Sequence, residues 1–387
     1  MKLNQHQQYI VDKKGEGITV LNAAAGSGKT TTTKETIANM INSGVSPTRI
    51  LAVTFTNKAS REWQLRIGRE TIEGWGEMHE KALDSPEDAL ALHLEGRDKE
   101  IFEFLTRWCT TIHAACYRLL REFGDRRRVP STKNTFDIKD MVNDILDVND
   151  WSTLSYKNAL HCVGMGVVNQ VNPYDFANFI KPVLEVGVGV PHNACEILQE
   201  IYVAYLRYMN RHNLLDFNMM LVDWWKMLDV PRIRNRAKAM FDYIIVDEAQ
   251  DTSKIQCDIL FIMAEDHRNI LFVGDPRQSI YQWRGAVPSI MEEDFALYWK
   301  DYELRSLPIN YRSTRTIIEK SNKVIALNYQ GREQFLMEVE PRESAEDGKD
   351  IEIVHTYSYN TMAEEIAERI GEHPEECFVL SRTNAEC

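Results

Sequence analysis

Three short stretches of this 387-residue chain combine residue types that handle phosphate. The first, Ala23-Ala24-Ala25-Gly26-Ser27-Gly28-Lys29-Thr30, follows an apolar run and opens a helical stretch rich in Thr, Lys and Glu. Glycines at 26 and 28 let backbone N–H groups turn toward phosphate oxygens, and the helix N-terminus that follows favours negative charge. Lys29 has the length to reach β and γ phosphates, and the Thr30 hydroxyl can ligate Mg²⁺. Ala25 and Ser27 complete the cradle, and Thr31 follows it. The general phosphate-loop pattern has glycine where Ala23 stands. The strand before the loop and the Gly-Lys-Thr in it are both in place, so a plain Gly/Ser turn is the poorer account.

The second stretch, Ile244-Ile245-Val246-Asp247-Glu248-Ala249-Gln250-Asp251, is an apolar strand ending in two acids. Asp247 at the strand's carboxyl end can hold a metal beside the phosphate loop, and Glu248 can then orient and deprotonate an attacking water. Alone such an ending is often only a helix cap. The third runs Leu271-Phe272-Val273-Gly274-Asp275-Pro276-Arg277-Gln278-Ser279-Ile280-Tyr281-Gln282-Trp283-Arg284-Gly285-Ala286. Gln278 has the reach and the donors to sense a γ-phosphate, Tyr281 and Trp283 offer stacking faces to bases, and Arg284 adds a cation beside them. One segment would touch both fuel and track.

These residues need a frame that brings strand ends together. Apolar runs rich in Val, Ile and Leu at 18–23, 50–56, 243–247 and 269–274 read as buried parallel strands, each followed by a turn or helical pattern. That alternation predicts a doubly wound α/β sheet. About 185 residues separate the second and third runs, mostly helical in pattern, as at 101–123 and 194–208, and an insertion that large should form its own subdomain. Beyond Pro288 the pattern predicts a helix at 313–328, a strand at 351–356, a helix at 361–370 and a strand at 377–381, the start of a second α/β unit. The acidic segment 331–350 reads as an exposed loop.

A hydrophobic content of 44% with 27% charged residues is ordinary for a globular protein, and no run of about 18 apolar residues is present. The opening Met1-Lys2-Leu3-Asn4-Gln5-His6 has no secretory core, so a cytoplasmic location and no membrane partner are expected. Seven cysteines form no CxxC pair, which argues against a zinc site or a disulfide framework. The net charge of −13 is concentrated: residues 331–376 carry 14 acids against 4 bases, while residues 107–128 carry six arginines against two acids. Phosphate contact depends on local charge, so nucleic acid is not excluded. Individual residues favour bland readings: core packing for Trp224 and Trp225, solvated or core histidine for His161, His192 and His212, and for Arg126 to Arg128 a solvated loop as much as a phosphate grip.

With these motifs in order, the chain resembles the UvrD/Rep/PcrA group of superfamily 1 DNA helicases. Leu3-Asn4-Gln5-His6-Gln7 is similar to that family's adenine-reading Q motif, which implies that Gln7 reads the base. Ala25 to Thr30 match motif I, and Thr54-Phe55-Thr56-Asn57-Lys58-Ala59 match motif Ia, implying that Phe55 stacks on a DNA base with Asn57 beside it. Thr111-Ile112-His113 resemble motif Ib, a DNA-backbone contact, and Leu215-Asp216-Phe217 resemble motif Id. Asp247 to Asp251 match motif II, and Gly274 to Ala286 match motif III. Asn310-Tyr311-Arg312-Ser313 is similar to motif IV, which implies Tyr311 on adenine and Arg312 on the γ-phosphate. Leu380-Ser381-Arg382-Thr383-Asn384-Ala385 resembles motif IVa.

The resemblance implies a RecA-like P-loop NTPase sheet at 1–110 and 211–287, a mostly helical insertion at 111–210 and a partial second RecA-like domain at 288–387. It implies ATP and Mg²⁺ as cofactors, single-stranded or partly duplex DNA as partner, and an ATP-dependent 3′–5′ translocase and helicase serving replication, repair or recombination. There are departures. Thr31 stands where many relatives carry an arginine beside adenine, residues 69–107 look like a local insertion, and motifs V and VI have no counterpart up to Cys387. The sequence therefore also admits a truncated or split helicase, completed by a separately encoded carboxy-terminal half, or an ATP- and DNA-binding module that does not unwind.

Overall fold

The computed structural model of the chain describes residues 3–85, 88, 92–149, 151, 154–185, 190–191, 193–280, 286–371 and 379–380. Its centre is a six-stranded sheet in the order β3-β2-β4-β5-β1-β6. The four strands read from apolar runs are β1 (Ile18–Ala23), β2 (Ile50–Thr54), β4 (Tyr243–Val246) and β5 (Ile270–Gly274), nearly all buried because helices cover both faces. Every pairing is parallel, with Leu21 opposite Val273, Val246 opposite Phe272 and Val53 opposite Val246. A parallel sheet puts all carboxyl ends on one edge. The residues that follow Ala23, Thr54, Thr111, Val246 and Gly274 are thus neighbours in space although up to 250 positions apart.

Two strands of the six-stranded sheet lie outside the sequence expectation. Residues 101–123 do not form one helix. Helices Gly96–Arg107 and Ile112–Glu122 flank a three-residue strand β3 (Cys109–Thr111), which pairs with β2 through Ala52 and Cys109. Trp108 closes the first helix, its N–H donating to the Phe104 carbonyl (2.8 Å), and the Thr111 hydroxyl accepts from Ala114 N (3.4 Å) to start the second. Adjacent β-branched Thr110 and Thr111 suit the pleat, and a break this short hides inside a helical apolar period.

The other is β6 (Glu303–Leu307), which pairs with β1 and forms an edge of the sheet although it follows Pro288 in the sequence. It carries charges and is half-exposed, as edge strands commonly are. Glu303 is clasped by Lys13 and Tyr9 of α1 (Gln5–Lys13) and by Arg305. A short pair, β7 (Ile309–Asn310) with β8 (Glu340–Pro341), comes next. Helices Arg315–Leu327 and Tyr359–Ile370 form where expected. Residues 351–356 are exposed and make no ladder among the described residues; a strand needs a neighbour to satisfy its backbone. Most of the strand expected at 377–381 lies outside the described residues.

The interval between β3 and β4 contains helices Thr132–Val148, Tyr156–Val168, Phe176–Glu185 and Cys195–Arg211 around a core of Val142, Ile180, Leu184, Leu198 and Ile201. Phe176 packs on Tyr202 with ring centroids 4.4 Å apart. Trp224 is fully buried and Trp225 partly so, the core role expected of them. His212 stacks on Tyr208 at 4.1 Å, and His192 lies outside the described residues. Arg127 is held by Asp125 (2.6 Å) and Asp223 (2.7 Å), an ion pair between chain segments rather than an open phosphate grip. No helix among the described residues is long and apolar enough to cross a membrane.

The β6 clasp has a pH signature. Partial burial raises the Glu303 carboxyl, but hydrogen bonds from Lys13, Tyr9 and Arg305 outweigh it and hold the group at about 2. An acid with a depressed folded value contributes stability above its unfolded value and loses it as pH falls toward the folded one. Glu303→Gln is expected to lower unfolding free energy by roughly 1 kcal/mol at neutral pH, with the difference closing between about pH 5 and about pH 2.5. Urea titrations of both chains across that range measure it; a gap independent of pH would rule out the clasp as its source.

Candidate nucleotide and nucleic-acid site

The phosphate loop leaves β1 and enters α2 (Lys29–Asn42) through Gly26 and Gly28, whose φ angles are +70° and +81°. Only glycine adopts these without strain, and close neighbours forbid a side chain as well. A Cβ on Gly28 would lie 2.6 Å from Gln7 Nε2, and one on Gly26 would lie 2.8 Å from Arg312 Cβ. Gln7 grips the loop by donating from Nε2 to the Ser27 carbonyl (3.0 Å). Asn4 and Gln7 form the capping box of α1, each side chain accepting from the other's backbone N–H. From the other side Asn310 Nδ2 donates to the Ala25 carbonyl (2.7 Å) and Tyr311 N to the Gly26 carbonyl (2.9 Å). The Tyr311 hydroxyl accepts from Asn4 Nδ2 (2.7 Å). Thr30 and Thr31 sit half-buried in the first turn of α2.

Lys29 and Glu248 meet at 2.7 Å. Glu248 follows β4 in the left-handed region, φ +51°, a conformation that costs a non-glycine residue roughly 1 kcal/mol or more and turns the backbone at the strand end. Gln250 Nε2 donates to the same Glu248 oxygen (2.8 Å), and Gln250 Oε1 accepts from Asp275 N (2.9 Å). The Asp275 carboxylate accepts in turn from Arg277 Nε (2.6 Å) and Gln278 Nε2 (2.7 Å). Gln278 therefore reaches the phosphate loop through a hydrogen-bonded chain rather than by direct contact. Arg312 donates its backbone N–H to Asn310 Oδ1 (2.8 Å), and its guanidinium makes no ion pair among the described residues.

Asp247 is buried, and its Oδ1 has no hydrogen-bond partner; the Ser27 hydroxyl and Asp251 Oδ1 are likewise buried and unpartnered. Burial, then the Glu248 charge, push Asp247 up to about 7, with Lys29 opposing. The same two causes push Asp251 up to about 6. An orphaned carboxylate oxygen at the sheet edge that carries the phosphate loop fits Mg²⁺, which binds through one or two protein oxygens plus phosphate and water rather than a full protein cage. No cluster of three or more His, Cys, Asp or Glu able to hold a metal exists among the described residues.

Phe55, Asn57, Thr111 and His113 line one cavity of about 1020 Å³ on the same sheet edge. Thr56 caps the helix that begins at Asn57 by accepting from Ala59 N (3.1 Å), which fixes Asn57 at the cavity wall. Phe217, 64% exposed, meets His113 edge-on at 5.7 Å. Burial pushes His113 down to about 4, so it is a neutral hydrogen-bonding group there and not a cation for phosphate. His161 and Asn169 of the helical insertion form the opposite wall. Their participation is not readable from residue spacing, because no local pattern marks which insertion helix faces the sheet. Tyr281, Trp283 and Arg284 lie outside the described residues, as does most of the segment resembling motif IVa.

A family model described as the UvrD/REP helicase N-terminal domain matches residues 3–296. The chain belongs to the UvrD/REP helicase family. A second, the UvrD-like helicase C-terminal domain, matches residues 306–387. This UvrD/REP-family chain is 28% identical over 396 residues to the ATP-dependent DNA helicase PcrA of Staphylococcus aureus, an alignment covering 99% of this chain and 48% of that protein. The same identity and coverage hold for the ATP-dependent DNA helicase PcrA of Staphylococcus epidermidis. The chain thus spans about half the length of the curated relatives it matches. The six-stranded parallel sheet agrees with the RecA-like fold expected of the family.

The closure of residues 310–312 onto the loop is testable in the nucleotide-free chain. Gly26→Ala adds a Cβ against Arg312 in a backbone conformation unfavourable to alanine. It is expected to cost about 1–3 kcal/mol of stability, read by urea unfolding. Parental stability in that variant would mean that the loop is not held by this segment.

Proposed function

We propose that this chain is the motor portion of an ATP-dependent single-stranded-DNA translocase and DNA helicase, moving 3′ to 5′ and serving replication, repair or recombination in the cytoplasm. On this reading residues 1–110 and 211–287 form the ATPase domain, 111–210 the helical insertion and 288–387 part of a second RecA-like domain, with β6 crossing back to the first sheet. The observation that carries the proposal is the Lys29–Glu248 contact at 2.7 Å. It joins the lysine of a phosphate loop to the carboxylate best placed to activate water.

Without nucleotide, Lys29 and Glu248 neutralise one another. An arriving triphosphate competes for Lys29 and for the N–H groups at 26–30, which releases Glu248 to accept the proton of an attacking water. Thr30 and Asp247 would hold Mg²⁺, which supplies charge neutralisation on the β and γ oxygens. Arg312, joined to the loop through Asn310, offers its unpaired guanidinium to the γ-phosphoryl group. Gln7 and Tyr311 bracket the nucleotide's entry to the loop. The Glu248–Gln250–Asp275–Gln278 chain links the hydrolytic carboxylate to Gln278, and loss of the γ-phosphate can bias how a strand is held by the residues that follow in the sequence, Tyr281, Trp283 and Arg284. Phe55, Asn57, Thr111 and His113 supply the rest of the strand contact, with aromatic faces for bases and neutral polar groups for the backbone.

Turnover of ATP with and without oligo(dT) tests this reading. Lys29→Ala is expected to lose nucleotide affinity and at least about 100-fold in rate. Glu248→Gln should keep affinity and lose about 100- to 10,000-fold in rate. Single-stranded DNA should stimulate only the unsubstituted chain. Tight binding of ATP and DNA by the unsubstituted chain with no turnover would replace the motor with a binding module.

A further inference from the structure

The hydrogen-bonded chain through Asp275 does not end at Gln278. Gln278 Nε2 donates to one oxygen of the Asp275 carboxylate (2.7 Å), and Arg277 grips both oxygens, Nε on Oδ1 (2.6 Å) and Nη2 on Oδ2 (3.1 Å). The two charged side chains are only 8% and 3% exposed. An ion pair this deeply buried adds little net stability, because desolvating both charges cancels most of their attraction, but it fixes the plane of the guanidinium. The third nitrogen of the fork, Nη1, donates to the Met337 carbonyl (3.0 Å), 60 positions further along the chain.

Met337 is buried and lies in a segment that is itself tied down. Two residues on, Val339 exchanges hydrogen bonds with the Asn322 amide of helix Arg315–Leu327, its carbonyl accepting (2.8 Å) and its N–H donating (3.2 Å). Glu340 N then donates to the Pro308 carbonyl (2.9 Å) and Arg342 N to the Asn310 carbonyl (3.0 Å), where β7 and β8 pair. Asn310 in turn holds the Ala25 carbonyl of the phosphate loop. With Lys29 on Glu248 and Gln250 between Glu248 and Asp275, these bonds close into a ring that starts and ends at the phosphate loop. Arg277 is the member that joins the sheet's strand ends to segment 336–342. The buried Glu292 carboxylate, which accepts from the Tyr329 hydroxyl (3.1 Å) and from Arg332, adds a second tie to that region, but not through the carboxylate that holds Gln278.

We infer that Arg277 is a positioning residue that latches segment 336–342 to the carboxylate holding Gln278. A displacement of that segment is then felt at Gln278 and, through Gln250, at Glu248. The latch stands on the bonds of the nucleotide-free chain, whereas its consequence for turnover rests on the motor reading above. Arg277 acts through Asp275, and no contact with nucleotide is assigned to it. Lysine at this position separates the latch from the ion pair. Its ammonium can replace the charge on Asp275 but, lacking the planar fork, does not hold both Asp275 oxygens and the Met337 carbonyl together.

Hydrogen exchange of the nucleotide-free full chain, read by mass spectrometry, tests the latch. In both Arg277→Ala and Arg277→Lys, peptides covering 308–312 and 338–342 should exchange about 10-fold faster, the scale of one charge-assisted hydrogen bond, while peptides from β1, β4 and β5 stay within about two-fold of the parent. With ATP, Mg²⁺ and oligo(dT), both variants should lose about 5-fold or more of the DNA-stimulated kcat, with KM for ATP within about two-fold. Parental exchange in Arg277→Lys overturns the latch, whatever Arg277→Ala does, and leaves a local ion pair at most. Equal acceleration in the sheet strands also overturns it, as a general loss of stability. Faster exchange in both variants with an unaltered stimulated kcat removes the link to Gln278. If exchange responds as expected and the parent chain shows no DNA-stimulated turnover, the motor reading fails while the latch stands.

Discussion

Lys29 and Glu248 lie 219 positions apart in the sequence, yet they form one ion pair at the carboxyl edge of the sheet. Their meeting depends on β1 and β4 running parallel with β5 between them, so that both strands end at the same level. Everything else at that edge follows from this alignment. Glu248 adopts a left-handed backbone and Asp247 is buried with its Oδ1 unpartnered among the described residues, two features that cost stability and are tolerated where an outside charge is awaited.

The second organising feature is that the phosphate loop is gripped from both sides by residues remote in sequence. Gln7 holds it from the amino-terminal helix, Asn310 and Tyr311 from beyond β6. The strand cavity lies on the same edge, floored by Phe55 and Thr111 and walled by the helical insertion. The phosphate loop and the cavity are therefore two parts of one set of strand ends. The polar chain through Gln250 and Asp275 is the most direct physical link between them.

Much of this was legible before any coordinates. Unbroken apolar runs announced β1, β2, β4 and β5, because strands buried on both faces admit little else. Knowing that parallel strand ends share an edge was enough to bring Lys29 and Glu248 together. β3 escaped notice because three residues cannot establish a period, and β6 because an edge strand rich in Glu and Arg carries no apolar signal. The wall formed by His161 and Asn169 was hidden for another reason: orientation of an inserted subdomain is set by tertiary packing, not by local pattern. Gln7 shows the same limit at a single residue. Its place in the segment resembling the Q motif implies a base reader, but the engagement of its amide with Asn4 and Ser27 emerges only from the three-dimensional partners.

Three successive carbonyls of the phosphate loop, those of Ala25, Gly26 and Ser27, are each tied down by a donor from elsewhere in the chain. A loop pinned through its acceptors has little conformational freedom left to surrender. Ligand capture then proceeds with a small entropic penalty for the loop. An incoming anion must still displace the Glu248 carboxylate at Lys29, an exchange of counter-ions rather than a folding of the loop around its guest.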